Sequence, residues 1–141
     1  MDGPHIESLS RGLCVRANTL IRNFKNCNLD VKKLLFKSFC TTFYCLSLII
    51  KANVSELKRI RVTYNNSIRK MFNVSRRESI SQSCVHLGIP TFEVLRRKAI
   101  VSLMNRLKLS KNNIIKGYID INYAQKTVIH YKWMQLTYII L

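Results

Sequence analysis

The stretch Asn53-Val54-Ser55-Glu56-Leu57-Lys58-Arg59-Ile60-Arg61-Val62-Thr63-Tyr64-Asn65-Asn66-Ser67-Ile68-Arg69-Lys70-Met71-Phe72 decides how this chain folds. At about 100° per residue, Leu57, Ile60, Tyr64, Ile68, Met71 and Phe72 gather into one stripe, with Arg59, Asn66, Arg69 and Lys70 opposite. A stripe of that size has to be buried against other elements, so the segment predicts a helix packed in a bundle. Asn53 followed by Glu56 has the spacing of an N-cap with its N3 acceptor, a relative of the Ser/Thr capping box.

Upstream, Leu13, Ala17, Leu20, Ile21 and Phe24 recur at three- and four-residue steps after Ser8 and Ser10, both read as N-caps. This predicts a first helix running to about Lys25, with Arg11, Arg22 and Lys25 on its outer face. Asn26, Asn28 and Asp30 mark a break and a new cap. Val31, Leu34, Leu35, Phe39, Cys45, Leu46 and Ile49 then describe a second helix, expected to be the most buried. Downstream of the opening stretch, residues 74–77 form a polar connector, and Ser79 caps a short helix that Gly88 ends and Pro90 punctuates. A further helix starts near Thr91 and carries Phe92, Leu95, Ala99, Ile100, Leu103 and Leu107 inward, with Arg96, Arg97, Lys98 and Arg106 on its flanks.

These segments predict an all-α fold, a small bundle of about five helices over residues 8–109, followed by a tail over residues 110–141. The tail is rich in β-branched and aromatic residues without clean periodicity, and both a partial helix and a hairpin are compatible with it. No internal repeat and no low-complexity tract points to a solenoid or an array.

Of 141 residues, 24 are Lys or Arg and 7 are Asp or Glu, a formal net charge of +17, while 48% are hydrophobic. That content supplies a core, and that charge calls for a polyanionic partner. Basic residues recur from Arg11 to Lys132 rather than beside one apolar anchor, which favours a phosphate backbone over a membrane surface. The apolar, uncharged stretch Ser38 to Ile50 is short of the roughly 20 residues that span a bilayer, so no transmembrane helix is expected. The N-terminus lacks the look of a secretory or transit segment, and Cys14, Cys27, Cys40, Cys45 and Cys84 suit reduced thiols rather than a disulfide framework. An intracellular location, cytoplasmic or nuclear, is expected.

Two-metal phosphoryl chemistry needs convergent carboxylates. Asp2, Glu7, Asp30, Glu56, Glu78, Glu93 and Asp120 are isolated, and most lie near predicted helix starts, where they complement the dipole. For zinc the nearest approach is Cys40 and Cys45 with the distant Cys84 and His86, but Cys40 and Cys45 diverge by about 140° on a helix. Phosphate-cradling glycine loops are absent, and His5, His86 and His130 have no serine or cysteine partner on a shared face. No catalytic residue, metal site or cofactor is expected. What remains is the basic set Arg59, Arg69, Lys70, Arg76, Arg77, Arg96, Arg97 and Lys98, the candidate residues for contacting nucleic-acid phosphates.

Four blocks carry a resemblance. They are residues 16–28 (Arg16-Ala17-Asn18-Thr19-Leu20-Ile21-Arg22-Asn23-Phe24-Lys25-Asn26-Cys27-Asn28), residues 30–40 from Asp30-Val31-Lys32-Lys33-Leu34 to Ser38-Phe39-Cys40, Tyr64 to Phe72, and Gly88-Ile89-Pro90-Thr91-Phe92-Glu93 onward to Lys98. In this order they resemble the region downstream of the catalytic core in jockey-like non-LTR (LINE-type) reverse transcriptases. The resemblance covers about residues 11–107. It implies a helical thumb and the segment after it, which steady template and nascent strand; the palm with its paired aspartates precedes this region in the family. It further implies a nucleic-acid partner, whether RNA, DNA or hybrid, no polymerisation by these residues alone, and a palm domain supplied by another chain. The pattern departs at Leu48-Ile49-Ile50-Lys51, where the family commonly has tryptophan, and at Ser75-Arg76-Arg77-Glu78-Ser79, where it has proline. From a different class, a helical protein-interaction module whose charge merely keeps it dissolved fits the composition too.

Overall fold

In the computed structural model, residues 3–43 and 54–124 are described, and they form six helices with no strand among them. The helices are α1 (Gly3–Asn23), α2 (Leu29–Cys40), α3 (Val54–Phe72), α4 (Ile80–Leu87), α5 (Phe92–Lys108) and α6 (Asn113–Ala124). The fold is all-α, as the periodicity predicts: five helices lie before residue 109 and a sixth lies in the expected tail. Contacts divide the chain into two units, and the division falls within α5 between Leu95 and Arg96.

In the first unit, α3 is the organising helix. Ile60, Tyr64, Ile68 and Met71 are buried, as the apolar stripe predicts, and Ser67 joins them. Opposite, α1 buries Ile6, Ser10, Leu13, Ala17 and Leu20, alternating steps of three and four that keep one face toward a neighbouring helix. Two small polar residues let the helices approach closely: Ser10 Oγ lies 2.8 Å from Thr63 Oγ1. Ser67 Oγ donates back to the Thr63 carbonyl at 2.9 Å, so its buried hydroxyl is satisfied. Glu7 meets Arg59 and Ser10 meets Thr63, while Ile21 and Phe24 border one cleft with Lys70 and Met71. The order along both helices is the same, so α1 and α3 run parallel.

The first helix begins earlier than its serines suggest. It starts at Gly3, and Pro4 sits in the first turn, where no intrahelical N–H is needed. Ser8 and Ser10 are therefore interior helix residues rather than caps. In α2 the expected face is corrected: Phe36 and Cys40 are fully buried, whereas Leu34 is 66% and Phe39 51% exposed and Val31 is exposed as well. The helix is apolar on two sides, so spacing alone does not choose, and the aromatic partners on α3 select Phe36. Cys45, Leu46 and Ile49, assigned to the same helix from sequence, lie outside the described residues, as does the predicted cap Asn53. The Asn28 cap is as read: its Oδ1 accepts from Val31 N–H at 2.9 Å.

Around Tyr64 the aromatic rings form a cluster. Its centroid lies 5.8 Å from Phe36, 6.0 Å from Phe43 and 6.2 Å from Phe92, and Phe36 adds an edge-on contact with Phe72 at 5.7 Å. These separations and tilts are the arrangements that ring quadrupoles favour. The buried phenol donates to the Pro90 carbonyl at 2.7 Å, tying α3 to the turn before α5. That turn is set by Gly88 in the left-handed region (φ 63°), where the Gly88 and Ile89 N–H groups satisfy the Val85 and Cys84 carbonyls.

The second unit holds the rest of α5 and α6. Ile100 and Met104 are its buried residues on α5. Asn112 caps α6 by accepting from Ile114 N–H at 2.8 Å, so the first part of the tail is helical. Residues 125–141 lie outside the described residues.

Replacing Tyr64 by Ala is expected to cost about 3 to 5 kcal/mol, the range for emptying a buried aromatic site. Tyr64→Phe is expected to cost about 1 to 3 kcal/mol, because the Pro90 carbonyl loses its donor. Leu34→Ala, at an exposed site, should change stability by less than roughly 0.5 kcal/mol. Urea denaturation of the three variants checks the order, and equal losses at Leu34 and Tyr64 would contradict the assignment of the core.

Candidate nucleic-acid interface

Five of the eight candidate basic residues, Arg59, Arg69, Lys70, Arg76 and Arg77, belong to the first unit, and Arg96, Arg97 and Lys98 belong to the second. On α3, Arg59 and Arg69 are ten residues apart, about 15 Å along the axis. Arg59 faces Glu7 at 3.6 Å, and Glu7 also engages Arg11 at 3.5 Å. These are exposed pairs, worth at most about 1 kcal/mol, and a phosphate can compete for such an arginine.

Arg69 has a different role. It is half-buried, and its guanidinium donates to the Ser75 carbonyl and, at 2.9 Å, to the Glu78 carbonyl. The helix it sits on ends at the next turn, where Asn73 adopts φ 54° and the Val74 N–H reaches back to the Arg69 carbonyl at 3.0 Å. This is the Schellman arrangement, with asparagine in the left-handed position that glycine usually takes. The Ser75 hydroxyl accepts from the Arg77 N–H at 3.3 Å and its carbonyl from the Glu78 N–H at 3.3 Å. One residue of α3 therefore terminates the helix and fixes the loop after it. Arg76 and Arg77 are exposed on that fixed loop.

In the second unit, Arg96 and Arg97 are half-buried and Lys98 is exposed. Three consecutive helical residues fan over about 200°, so the triplet does not present a single face.

Beside the candidate set, the structure brings together two lysines that the sequence does not single out for nucleic-acid contact. Lys25 and Lys32 line, with Lys70, a cleft of about 240 Å³ whose other walls are Ile21, Phe24, Asn26, Met71 and Asn73. The signal was the brevity of the turn between α1 and α2, which folds Lys25 back beside the first turns of α2.

Two of the thiols are taken up by the core. Cys40 and Cys84 are buried and free, flanking Tyr64; burial pushes the Cys40 thiol up to about 11, partly offset by the nearby Arg16 guanidinium, and burial raises Cys84 as well. Burial also raises the Tyr64 phenol, and the two thiols add to that shift. A protonated, buried thiol is neither a good nucleophile nor a metal ligand. His86 is exposed whereas Cys84 is buried, so they point apart, and no group of three metal-ligating residues occurs among the described residues. Asp30 pairs with Lys33 at 3.5 Å and Glu93 with Arg61 at 4.0 Å, local roles for acids that could otherwise hold a metal. No helix among the described residues is long and apolar enough to cross a membrane. No protein family, curated protein or solved structure matches the chain.

The raised thiol and phenol make stability depend on alkaline pH. The folded state holds the Cys40 proton to about pH 11, whereas the unfolded chain releases it near 9.0. Its contribution is therefore complete below pH 9 and lost as pH rises from 9 through 11, and Tyr64 acts in the same direction at higher pH. Urea midpoints should be level from pH 7 to 8.5 and fall above 9. A midpoint that rises across that interval would contradict the buried placement of both groups.

Proposed function

We propose that the protein binds the backbone of nucleic acid through the basic surface at the α3–α4 junction, without reading base sequence and without catalysis of its own. The observation that carries this reading is the loop bearing Arg76 and Arg77, exposed and fixed by the bonds from Arg69 to the Ser75 and Glu78 carbonyls. A loop whose backbone is already fixed loses little backbone freedom on meeting phosphates, and each contact releases condensed counterions. Lys70 extends the surface along α3, and the net charge of +17 adds long-range attraction. Arg59, Arg96, Arg97 and Lys98 complete the proposed set as contacts outside this loop.

The resemblance of residues 11–107 to jockey-like non-LTR reverse transcriptases supports the same reading. On it, these helices act as a thumb-like element that steadies template and product, in the cytoplasm or nucleus, and polymerisation resides in a palm outside these residues. Phosphate contacts position a strand without selecting its sequence, so RNA, DNA and hybrid are all admitted. A second reading, a protein-interaction module, is favoured by one observation: Val31, Leu34 and Phe39 leave an apolar face of α2 exposed.

Electrophoretic or anisotropy titration with duplexes of unrelated sequence separates them. The first reading expects sequence-tolerant binding that weakens steeply with salt. Arg76→Gln with Arg77→Gln should reduce the slope of log K against log salt by about 1.8, two phosphates' worth at roughly 0.9 each, with an unchanged circular dichroism spectrum. Parent-like affinity and slope in the double variant would remove the loop from the interface, and negligible binding by the parent would leave the interaction-module reading.

A further inference from the structure

The cleft between the end of α1, the start of α2 and the end of α3 has three chemically distinct walls. Ile21, Phe24 and Met71 make an apolar floor, Asn26 and Asn73 offer amide donors and acceptors, and Lys25, Lys32 and Lys70 bring three positive charges. No carboxylate lines it, and among the described residues none of these lysines is in an ion pair. Lys25 and Lys70 lie at helix C-terminal ends, where the dipole favours a cation. Lys32 has no such reason: it lies near the N-terminal end of α2, where the dipole opposes a cation, and the nearby Asp30 is engaged by Lys33. Lys32 therefore brings a third positive charge to the cleft without a helix-dipole or ion-pair reason of its own.

We infer that this cleft receives one unpaired nucleotide of a single-stranded nucleic acid, a step beyond the backbone-binding reading and resting on it. The base lies on the apolar floor with Phe24 as its aromatic partner, the asparagine amides meet its edge, and the lysines hold the flanking phosphates. A bare anion would have no use for the floor and amides, and a duplex keeps its bases stacked and paired out of reach. At about 240 Å³ the cleft falls below the roughly 300 to 1,000 Å³ of sites for drug-sized ligands, which suits a single heterocycle. The chemistry of the walls does not distinguish ribose from deoxyribose, so a DNA probe suffices.

The test compares three labelled probes with the full chain: a short oligothymidylate, the same strand with abasic residues throughout, and a duplex of equal charge. The parent protein should bind the oligothymidylate about ten-fold more tightly than the abasic strand, the contribution of one stacked base. Lys25→Gln with Lys32→Gln should weaken oligothymidylate binding roughly ten-fold and lower its salt slope by about 1.4, at roughly 0.7 per phosphate of a single strand. Duplex binding, which uses the Arg76 and Arg77 loop, should change by less than about two-fold. Thymidine monophosphate should displace the strand at concentrations where inorganic phosphate does not. Equal affinity for the normal and abasic strands, displacement by inorganic phosphate alone, or a double variant that keeps the parent's behaviour would each overturn the nucleotide cleft while leaving duplex binding intact. Failure of all three probes to bind at low salt would overturn the backbone-binding reading together with it.

Discussion

Everything the first unit presents to solvent depends on where Tyr64 is held. Its ring touches aromatic partners from α2, from the segment after α2 and from α5, and its hydroxyl is bonded to the Pro90 carbonyl. A buried phenol with its hydrogen bond made is costly to move, because any displacement leaves a polar group unsatisfied among apolar neighbours. With Tyr64 fixed, the register of α3 is fixed. The register places Ser67 against α1, Arg69 against the connector and Lys70 at the cleft.

From that register follows the division of labour among the cations. Arg69 and Arg76 are both arginines in one short stretch, yet one spends its donors on backbone carbonyls and the other is left to solvent. The planar fork of Arg69 can hold two carbonyls at once, which a lysine at the same place could not do. Arg59 is tempered by Glu7, and Arg61 by Glu93. Lys25, Lys32 and Lys70 line one cleft, and Arg76 and Arg77 stand exposed on the loop after α3.

Particular elements show how far the sequence could be read. The stripe on α3 was legible because its large apolar residues are confined to one side, and the Asn28 and Gly88 helix ends were legible because each has a local hydrogen-bonding reason. On α2 the sequence points to the wrong face, since Leu35 and Phe39 keep the same four-residue spacing as Phe36 and Cys40 and only a partner helix distinguishes them. The serines near the N-terminus resembled caps, but Ser10 is there for its small volume and its bond to Thr63. Asn112 was hidden in a tail whose β-branched residues speak against helix, although its side chain caps one. Among the basic residues, the exposure of Arg76 and Arg77 was foreseeable from their place in a polar connector. The bonds from Arg69 that fix that connector, and the meeting of Lys25 with Lys32 and Lys70, depend on tertiary geometry that no local pattern encodes.

The most direct test of the account is an amide chemical-shift map of the labelled protein titrated with a short single strand. Binding at the proposed surface predicts shifts concentrated at Lys25 to Asn28, at Lys32 and from Lys70 to Glu78, with the amides of Ile60, Tyr64 and Ile68 unmoved. Shifts confined to α6, or spread over the exposed apolar face of α2 with the loop after α3 silent, would contradict it.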